Sequence, residues 1–151
     1  FIGPVSNSRC AKSLIKLLFK YKTNIHILCP KDFQLGSDTS IDDMNISNIS
    51  YIRDFRTIGD FDVLYFTGSL QEDFADRLEF DSYKGWFTFP QERLGDLSKD
   101  ILIMHPLPRG HELDVFEDHS IGLHVLEQTR CLVCTRMAII EELFMKSLYD
   151  H

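Results

Sequence analysis

Residues 105–109, with the sequence HPLPR, have the clearest potential for chemistry in this chain. Their two prolines lack a backbone N–H and have a fixed φ, so the segment must leave any sheet ladder. The carbonyl oxygens of Leu107 and Pro108 are then available to accept hydrogen bonds from a ligand. A cis bond before a proline suits so tight a turn. His105 is expected to support the turn rather than to transfer a proton.

The overall charge does not favour an anionic ligand, because 16 Lys and Arg face 23 Asp and Glu, for a net charge of −7. Any anion must therefore be held by a few placed basic residues. Arg109 either contacts a ligand or helps two domains to close, or it pairs with Glu112 or another acidic residue. An acidic chain with a pI near 5.3 repels phosphate backbones and anionic lipids, so we expect neither a nucleic-acid nor a membrane partner.

Metal and disulfide chemistry are not indicated by the cysteines and histidines. Cys131 and Cys134 form a CxxC, but no second CxxC or histidine pair lies at a matching spacing. We therefore expect no metal ion and no cofactor, and reduced thiols in a cytoplasmic protein. The sequence also lacks an apolar run long enough to span a bilayer, and its first residues lack the basic segment of a signal peptide.

The elements that would position these residues alternate between helices and strands. The 151 residues, 44% of them hydrophobic, are enough for one domain with its own core. Helical spacing of apolar residues predicts helices over 8–22 and 129–149. Short apolar runs predict strands at 24–29, 50–53, 61–66, 101–105 and 121–126. Residues 67–100 are interpreted as a long acidic and aromatic loop, with one short helix after Pro90.

This alternation favours an α/β fold: a three-layer, open, mainly parallel sheet with helices on both faces, of the Rossmann-like type. In such folds ligands bind at the carboxyl ends of the strands. Residues 3–9, 67–71 and 105–109 each follow a strand or the end of one. A ligand site is therefore expected where these three segments lie.

HPLPR after a strand resembles the motif of the aspartate carbamoyltransferases, whereas the sister ornithine enzymes carry a cysteine in place of Pro106. Three further landmarks follow the family order. Residues 1–14 resemble V-G-D-L-x-x-G-R-T-V-H-S-L, residues 62–67 resemble D-V-L-Y-x-T, and residues 128–138 resemble Q-x-E-N-G-x-x-x-R-M-A. The resemblance covers nearly all of residues 1–151 and implies the second, aspartate-binding half of such a protein. The family's carbamoyl-phosphate-binding half, with its S-T-R-T loop, has no counterpart in this sequence.

The resemblance implies a reaction of pyrimidine biosynthesis, in which the amine of aspartate attacks carbamoyl phosphate and phosphate leaves. Arg9, the arginine of the family's G-R-T, would grip one carboxylate of aspartate at the start of a helix, where the dipole also favours an anion. The carbonyls of Leu107 and Pro108 would orient the amino and carbamoyl groups. The resemblance also implies a homotrimer, assembled mainly through the other half, and a final helix that crosses back to that half.

The chain departs from the family pattern where the second carboxylate of aspartate is held. A gap-free alignment places Gly68 and Leu70 at the arginine and glutamine of T-R-x-Q. An arginine–carboxylate clamp contributes about 3–5 kcal/mol, so its loss should weaken aspartate binding by about two to four powers of ten. Gln71 could substitute for the missing glutamine only after a local shift. Lys12, in place of a family histidine, either replaces lost positive charge or is a solvated lysine.

Four functions remain open at this stage. The chain is half of a working aspartate carbamoyltransferase with impaired aspartate binding, or an inactive carbamoyltransferase-like domain retained for assembly or regulation. A third reading is a carbamoyltransferase for another amine, because an arginine-to-glycine change removes selection for a second carboxylate. A plain nucleotide-binding domain is disfavoured, since Gly3 is followed by neither GxGxxG nor a P-loop.

Overall fold

The computed structural model describes residues 1–36, 48–69, 71–97, 100–113 and 124–149. Within these ranges both predicted helices and four of the predicted strands are present, with shifted ends. The helices and strands in chain order are α1 (Arg9–Leu18), β1 (Ile25–Leu28), β2 (Ile49–Ile52), β3 (Val63–Tyr65), α2 (Arg77–Phe87), β4 (Leu102–Met104) and α3 (Val125–Tyr149). Short 3-10 helices lie at Lys31–Phe33, Phe55–Asp60, Gln71–Asp73, Gln91–Asp96 and His111–Leu113.

The strands form two parallel pairs, which the N-terminal segment joins. Strand β1 pairs with β2 from Ile25 opposite Ile49, and β3 pairs with β4 from Val63 opposite Leu102. Ile2 lies between the pairs and makes parallel bridges to Leu28 on one side and to Phe66 on the other. The spatial order is therefore β2, β1, the N-terminal segment, β3 and β4, all parallel, which confirms the predicted α/β class.

This order places a topological switch at the N-terminal segment. From that segment the chain first builds β1 and β2 to one side and then returns to build β3 and β4 on the other. Parallel sheets with such a reversal open a crevice at the carboxyl ends of the two central strands. The crevice lies directly after Ile2 and Tyr65, where two of the three candidate segments begin.

Two clusters of buried side chains lie on the two faces of the sheet, because successive strand residues point to opposite sides. Ile27 of β1 belongs to the cluster that α1 and α2 cover, whereas the next residue, Leu28, belongs to the other. The second face is covered by 3-10 helices, which contribute Ile58 and Leu113. The three-layer arrangement expected from the sequence is present, with short 3-10 helices over much of one face.

Helix α1 begins at Arg9 because Ser8 caps it. The Ser8 hydroxyl accepts a hydrogen bond from the Ala11 N–H at 3.2 Å, which satisfies one of the free donors of the first turn. Ala11 and Ile15 face the core and are fully buried. The helix ends at Leu18, four residues before the predicted end.

Helix α2 was not predicted, and it lies within the residues interpreted as a long loop. Its start has a capping pattern: Asp76 Oδ1 accepts from the Glu79 N–H at 2.9 Å, and Glu79 Oε2 accepts from the Ala75 N–H at 2.7 Å. Its aromatic residues recur at helical spacing, and Tyr83 and Phe87 pack edge-on against Phe33. The sequence D-R-L-E at the start of this aromatic series was the signal that could have revealed the helix.

Helix α3 starts at Val125 and residue 124 is not in a strand, so the predicted strand at 121–126 is wrong for its last three residues; residues 121–123 lie outside the described part of the chain. The helix exposes a large apolar surface: Ile140 is 67% and Phe144 64% exposed. None of the described helices has the length and apolarity needed to cross a membrane.

Candidate functional site

The three candidate segments meet at the carboxyl edge of the sheet. Gly3 lies so close to the next strand that a Cβ built on it would fall 2.1 Å from Thr67 Oγ1 and 3.4 Å from the Gly68 carbonyl. Gly68 in turn faces the ring of His105, whose Cε1 would be 3.8 Å from a Cβ on Gly68. The Thr67 N–H donates to the Ile2 carbonyl at 2.9 Å and completes the junction.

Replacing Gly3 with alanine should destabilise this junction strongly. Gly3 has a φ of +130°, which side-chain-bearing residues rarely adopt, and the added methyl group would collide with the buried Thr67. We expect Gly3→Ala to lower the free energy of unfolding of the full-length protein by about 2–4 kcal/mol in urea titrations.

Gly85→Ala is the matched control for that substitution. Gly85 lies inside α2, is exposed and has open space around it, so alanine there should raise stability by about 0.5–1 kcal/mol. Equal effects of the two substitutions would contradict the close approach at Gly3.

His105 is held by hydrogen bonds at both ring nitrogens. Its Nδ1 accepts from the Leu107 N–H at 2.9 Å, so this nitrogen carries no hydrogen. Nε2 therefore carries it and donates to Glu112 Oε1 at 2.7 Å. The ring is neutral in this arrangement, and the contact is a hydrogen bond to a carboxylate rather than an ion pair between two full charges. Both side chains are buried. The placement agrees with the expected supporting role of His105.

Glu112 is a site residue that the sequence did not reveal in this role. Besides His105, its Oε1 accepts from the Gly110 N–H at 2.9 Å, and its Oε2 accepts from the Ser69 hydroxyl at 3.4 Å. Burial alone would raise the pKa of this carboxyl, but the hydrogen bonds from His105 and Gly110 outweigh burial and lower the pKa to about 2. Pairing of Arg109 with Glu112, one of the sequence-based readings, is not found: this carboxylate is bonded to His105.

Glu112 should make the protein acid-sensitive in a defined window. The unfolded carboxyl takes up a proton near its ordinary pKa of 4.5 and the folded one only near 2, so this stabilisation is complete above pH 4.5 and is lost as the pH falls toward 2. We expect the loss to be on the order of 2–3 kcal/mol in urea titrations of the full-length protein.

Glu112→Gln should remove that part of the acid dependence, because the amide does not titrate. Exposed Glu92 offers the matched control, and Glu92→Gln should keep the wild-type dependence. If wild type and Glu112→Gln lose stability in parallel between pH 5 and pH 3, the proposed contribution of Glu112 is wrong.

The HPLPR turn has the shape that its prolines suggested. The Leu107–Pro108 peptide bond is cis, and Leu107 has a φ of +61°. Leu107, Pro108 and Arg109 are exposed at the carboxyl end of β4. Within the described part of the chain, no hydrogen bond reaches the carbonyl oxygens of Leu107 and Pro108. These two acceptors are therefore available to a ligand.

The turn is also fixed from α3. The backbone N–H of His105 donates to Gln128 Oε1 at 3.0 Å, and the His124 N–H donates to the Ile103 carbonyl at 3.3 Å. Gln128 thus continues the hydrogen bonding of β4 past its last residue. The start of α3 and the turn form one rigid unit.

Arg9 and Lys12 lie in the first turn of α1, which contains no acidic residue. Arg9 is exposed and Lys12 half-buried, and neither forms an ion pair with a described residue. Two basic side chains therefore lie at the positive end of the helix dipole of α1. This arrangement suits a carboxylate or another small anion.

The residues aligned with the family's second clamp supply no positive charge. Gly68 has no side chain and a φ of +77°, and a Cβ there would make only ordinary van der Waals contact with the His105 ring. Gln71 is exposed at the start of the 3-10 helix Gln71–Asp73, with Glu72 beside it. Leu70 lies outside the described residues.

Among the described cysteines, Cys131 and Cys134 are exposed free thiols on α3.

Comparison with known proteins agrees with this geometry. The family model described as "Aspartate/ornithine carbamoyltransferase, Asp/Orn binding domain" matches residues 1–143. The catalytic subunit of aspartate carbamoyltransferase from Methanococcus maripaludis is 33% identical over 98% of this chain and 48% of its own length. The corresponding subunit from Sulfolobus acidocaldarius is 27% identical over 95% of this chain and 48% of its own length.

A solved structure shows the same fold. Aspartate transcarbamoylase from Trypanosoma cruzi, crystallised with N-(phosphonacetyl)-L-aspartic acid, superposes with a TM-score of 0.70 at 27% identity, over 92% of this chain and 46% of that one. The chain spans about half the length of the curated relatives it matches. It belongs to the aspartate/ornithine carbamoyltransferase family, in the part that the family model describes as the Asp/Orn binding domain.

Proposed function

We propose that this chain, residues 1–151, is the acceptor-binding half of an aspartate carbamoyltransferase-like enzyme of pyrimidine biosynthesis, and that it binds aspartate weakly. A carbamoyl-phosphate-binding half completes the site. The observation that carries the proposal is the exposed Leu107–Pro108 turn at the carboxyl end of β4, the strand next to the switch point, in a chain that belongs to this family. The acceptor is an amino acid similar to aspartate.

Arg9 binds one carboxylate of the acceptor. Its guanidinium has two parallel N–H donors that match the two oxygens of a carboxylate, and the N-terminus of α1 adds a favourable dipole. Lys12, one turn later, raises the positive potential without a fixed geometry. Arg109, exposed beside the Leu107–Pro108 turn, is a further cation within this edge of the sheet.

The carbonyls of Leu107 and Pro108 orient the acceptor amine. The amine nitrogen forms a bond to the carbonyl carbon of carbamoyl phosphate, the bond from that carbon to the phosphate oxygen breaks, and the proton that the nitrogen loses passes to the leaving phosphate. Because two fixed carbonyls accept hydrogen bonds from the amine, its lone pair is directed at the carbon that it attacks. Rate enhancement in such a site comes from positioning and from stabilisation of charge on the leaving phosphate by the other half.

Gly68 accounts for the weakened grip. A glycine at this position presents no side chain opposite His105, where the aligned family residue is an arginine, so the acceptor's second carboxylate has no guanidinium from this loop. Gln71 is exposed and can donate only neutral hydrogen bonds. The acceptor is therefore bound firmly at one carboxylate and loosely at the other.

The exposed apolar surface of α3 packs against the carbamoyl-phosphate-binding half, in the way that the family resemblance implies. Ile140, Phe144 and Leu143 are more than three-fifths exposed in this half alone. The complete protein is a homotrimer of the cytoplasm, assembled mainly through that other half.

The direct test is formation of carbamoyl aspartate by the full-length protein, beside the Trypanosoma cruzi enzyme as an active control. We expect product, with an aspartate KM about two or more powers of ten above that of the control, because one arginine clamp is missing. Undetectable product at high aspartate, with the control active, would reject the enzyme.

The alternative is a catalytically inactive carbamoyltransferase-like domain that serves assembly or regulation. The missing side chain at Gly68 favours it, since a site without the second clamp need not retain catalysis. The same assay separates the two functions. An inactive protein that still forms trimers, and in which the apolar face of α3 is buried, would support this alternative.

A further inference from the structure

We propose that Glu112 is a positioning residue, which fixes the ring of His105 and, through it, the backbone of Leu107 that presents a carbonyl to the acceptor amine. The inference rests on the proposed function for its effect on catalysis. Its structural basis is independent of that function, because it lies in contacts among buried groups of this chain.

The contacts form one continuous series. The Leu107 N–H donates to His105 Nδ1 at 2.9 Å, and His105 Nε2 donates to Glu112 Oε1 at 2.7 Å. An ionised carboxylate can only accept, so Glu112 requires the hydrogen on Nε2. Nδ1 is then left without a hydrogen and accepts the Leu107 N–H, so the carboxylate selects the tautomer that holds Leu107.

Leu107 needs such a restraint. Its φ of +61° lies in the left-handed region, which disfavours a side-chain-bearing residue by about 1–2 kcal/mol. Glu112 Oε1 also accepts from the Gly110 N–H at 2.9 Å, so one carboxylate oxygen secures both ends of the turn around Leu107 and Pro108. A shift of the turn by a fraction of an ångström would redirect both carbonyls.

Glu112 also reaches the second candidate segment. Its Oε2 accepts from the hydroxyl of Ser69, which follows Gly68, at 3.4 Å. Ser69 and Glu112 are both 2% exposed, so water does not compete for this contact. The same side chain thus aligns the loop after β3 with the turn after β4, the two places that face the acceptor.

The test compares Glu112→Ala and Glu112→Gln in the full-length protein, with active sites counted by titration with N-(phosphonacetyl)-L-aspartate. Alanine leaves His105 Nε2 and the Gly110 N–H without their acceptor, and we expect kcat/KM per active site to fall by about a hundredfold, mainly in kcat. The glutamine amide oxygen can accept both hydrogen bonds, so Glu112→Gln should stay within about threefold of wild type. Glu92→Ala, on an exposed glutamate, is the control.

The ¹⁵N spectrum of the His105 ring tests the positioning even if the protein proves inactive. Wild type and Glu112→Gln should show hydrogen on Nε2 alone, and Glu112→Ala should show a mixture of tautomers. The proposal is overturned if Glu112→Ala keeps the wild-type kcat/KM, or if kcat/KM falls as far in Glu112→Gln as in Glu112→Ala. It is also overturned if the His105 ring signals are the same in wild type and both variants. Loss of turnover in wild type with the expected ring signals would reject the proposed function alone.

Discussion

Arg9→Ala in the full-length protein is expected to weaken aspartate binding by about two to three powers of ten. Arg9 is the first residue of α1, it is exposed, and the first helical turn holds no acidic residue that would neutralise it. A bidentate guanidinium–carboxylate contact contributes about 3–5 kcal/mol, and each 1.4 kcal/mol is a factor of ten in affinity. Calorimetric titration with aspartate, in the presence of a carbamoyl phosphate analogue, measures the change.

Two further variants separate the contact from the general field of the protein. Arg9→Lys keeps the charge but loses the fork of donors, so its affinity should lie between those of wild type and Arg9→Ala. Lys20→Ala removes one positive charge beyond the other end of the same helix, and it should leave the affinity within about twofold. If Arg9→Ala binds aspartate as Lys20→Ala does, Arg9 is not a carboxylate ligand.

The sequence predicted the strands of the sheet because they are short and mainly apolar, and because proline directly follows the runs at 24–29 and 101–105. The runs at 24–29 and 101–105 contain β1 and β4, and the structure shortens each by one or two residues at its ends. Tertiary packing decides where such runs stop pairing, and pattern alone does not encode it. The position of Ile2 as the central strand follows from bridges on both sides, to residues far along the chain.

Helix α2 shows a different limit. Its residues are acidic and aromatic, and the whole segment was interpreted as a loop. Yet Asp76 and Glu79 have capping spacing, and Phe80, Tyr83 and Phe87 recur at three and four residues. Local capping information was sufficient here, and the high content of charged residues obscured it.

Only part of the candidate site could be predicted from the sequence. The HPLPR turn could be predicted because two prolines restrict the backbone regardless of context. The role of Glu112 could not, because the two prolines after His105 exclude a continuous helix, and only the fold of the turn brings residue 112 back to His105. Reading Glu112 as a partner of Arg109 followed from charge alone, and burial favoured the histidine.

Gly68→Arg in the full-length protein is expected to strengthen aspartate binding by about ten- to a hundredfold. The nearest atoms to a Cβ at this position are Cε1 and Nε2 of His105, at 3.8 and 3.9 Å, so a Cβ there makes ordinary van der Waals contact without a collision. Its φ of +77° disfavours arginine by about 1–2 kcal/mol, whereas a second guanidinium–carboxylate clamp contributes about 3–5 kcal/mol. The difference leaves a net gain in affinity, measurable by the same titration.

Gly68→Ala and Gly95→Arg are the controls for this prediction, because they separate the backbone penalty and the added charge from the clamp itself. Gly68→Ala carries the backbone penalty without a guanidinium and should bind aspartate no better than wild type. Gly95→Arg adds the same charge at an open position away from the site, and should change affinity by less than about twofold. Tighter binding by Gly68→Arg alone would assign the weak grip to the missing clamp, whereas equal binding by all three variants would place the second carboxylate elsewhere. If Gly68→Arg binds aspartate tightly and still forms no product, the defect lies beyond the acceptor-binding half. This chain would then supply both guanidinium–carboxylate clamps as well as the carbonyls of Leu107 and Pro108.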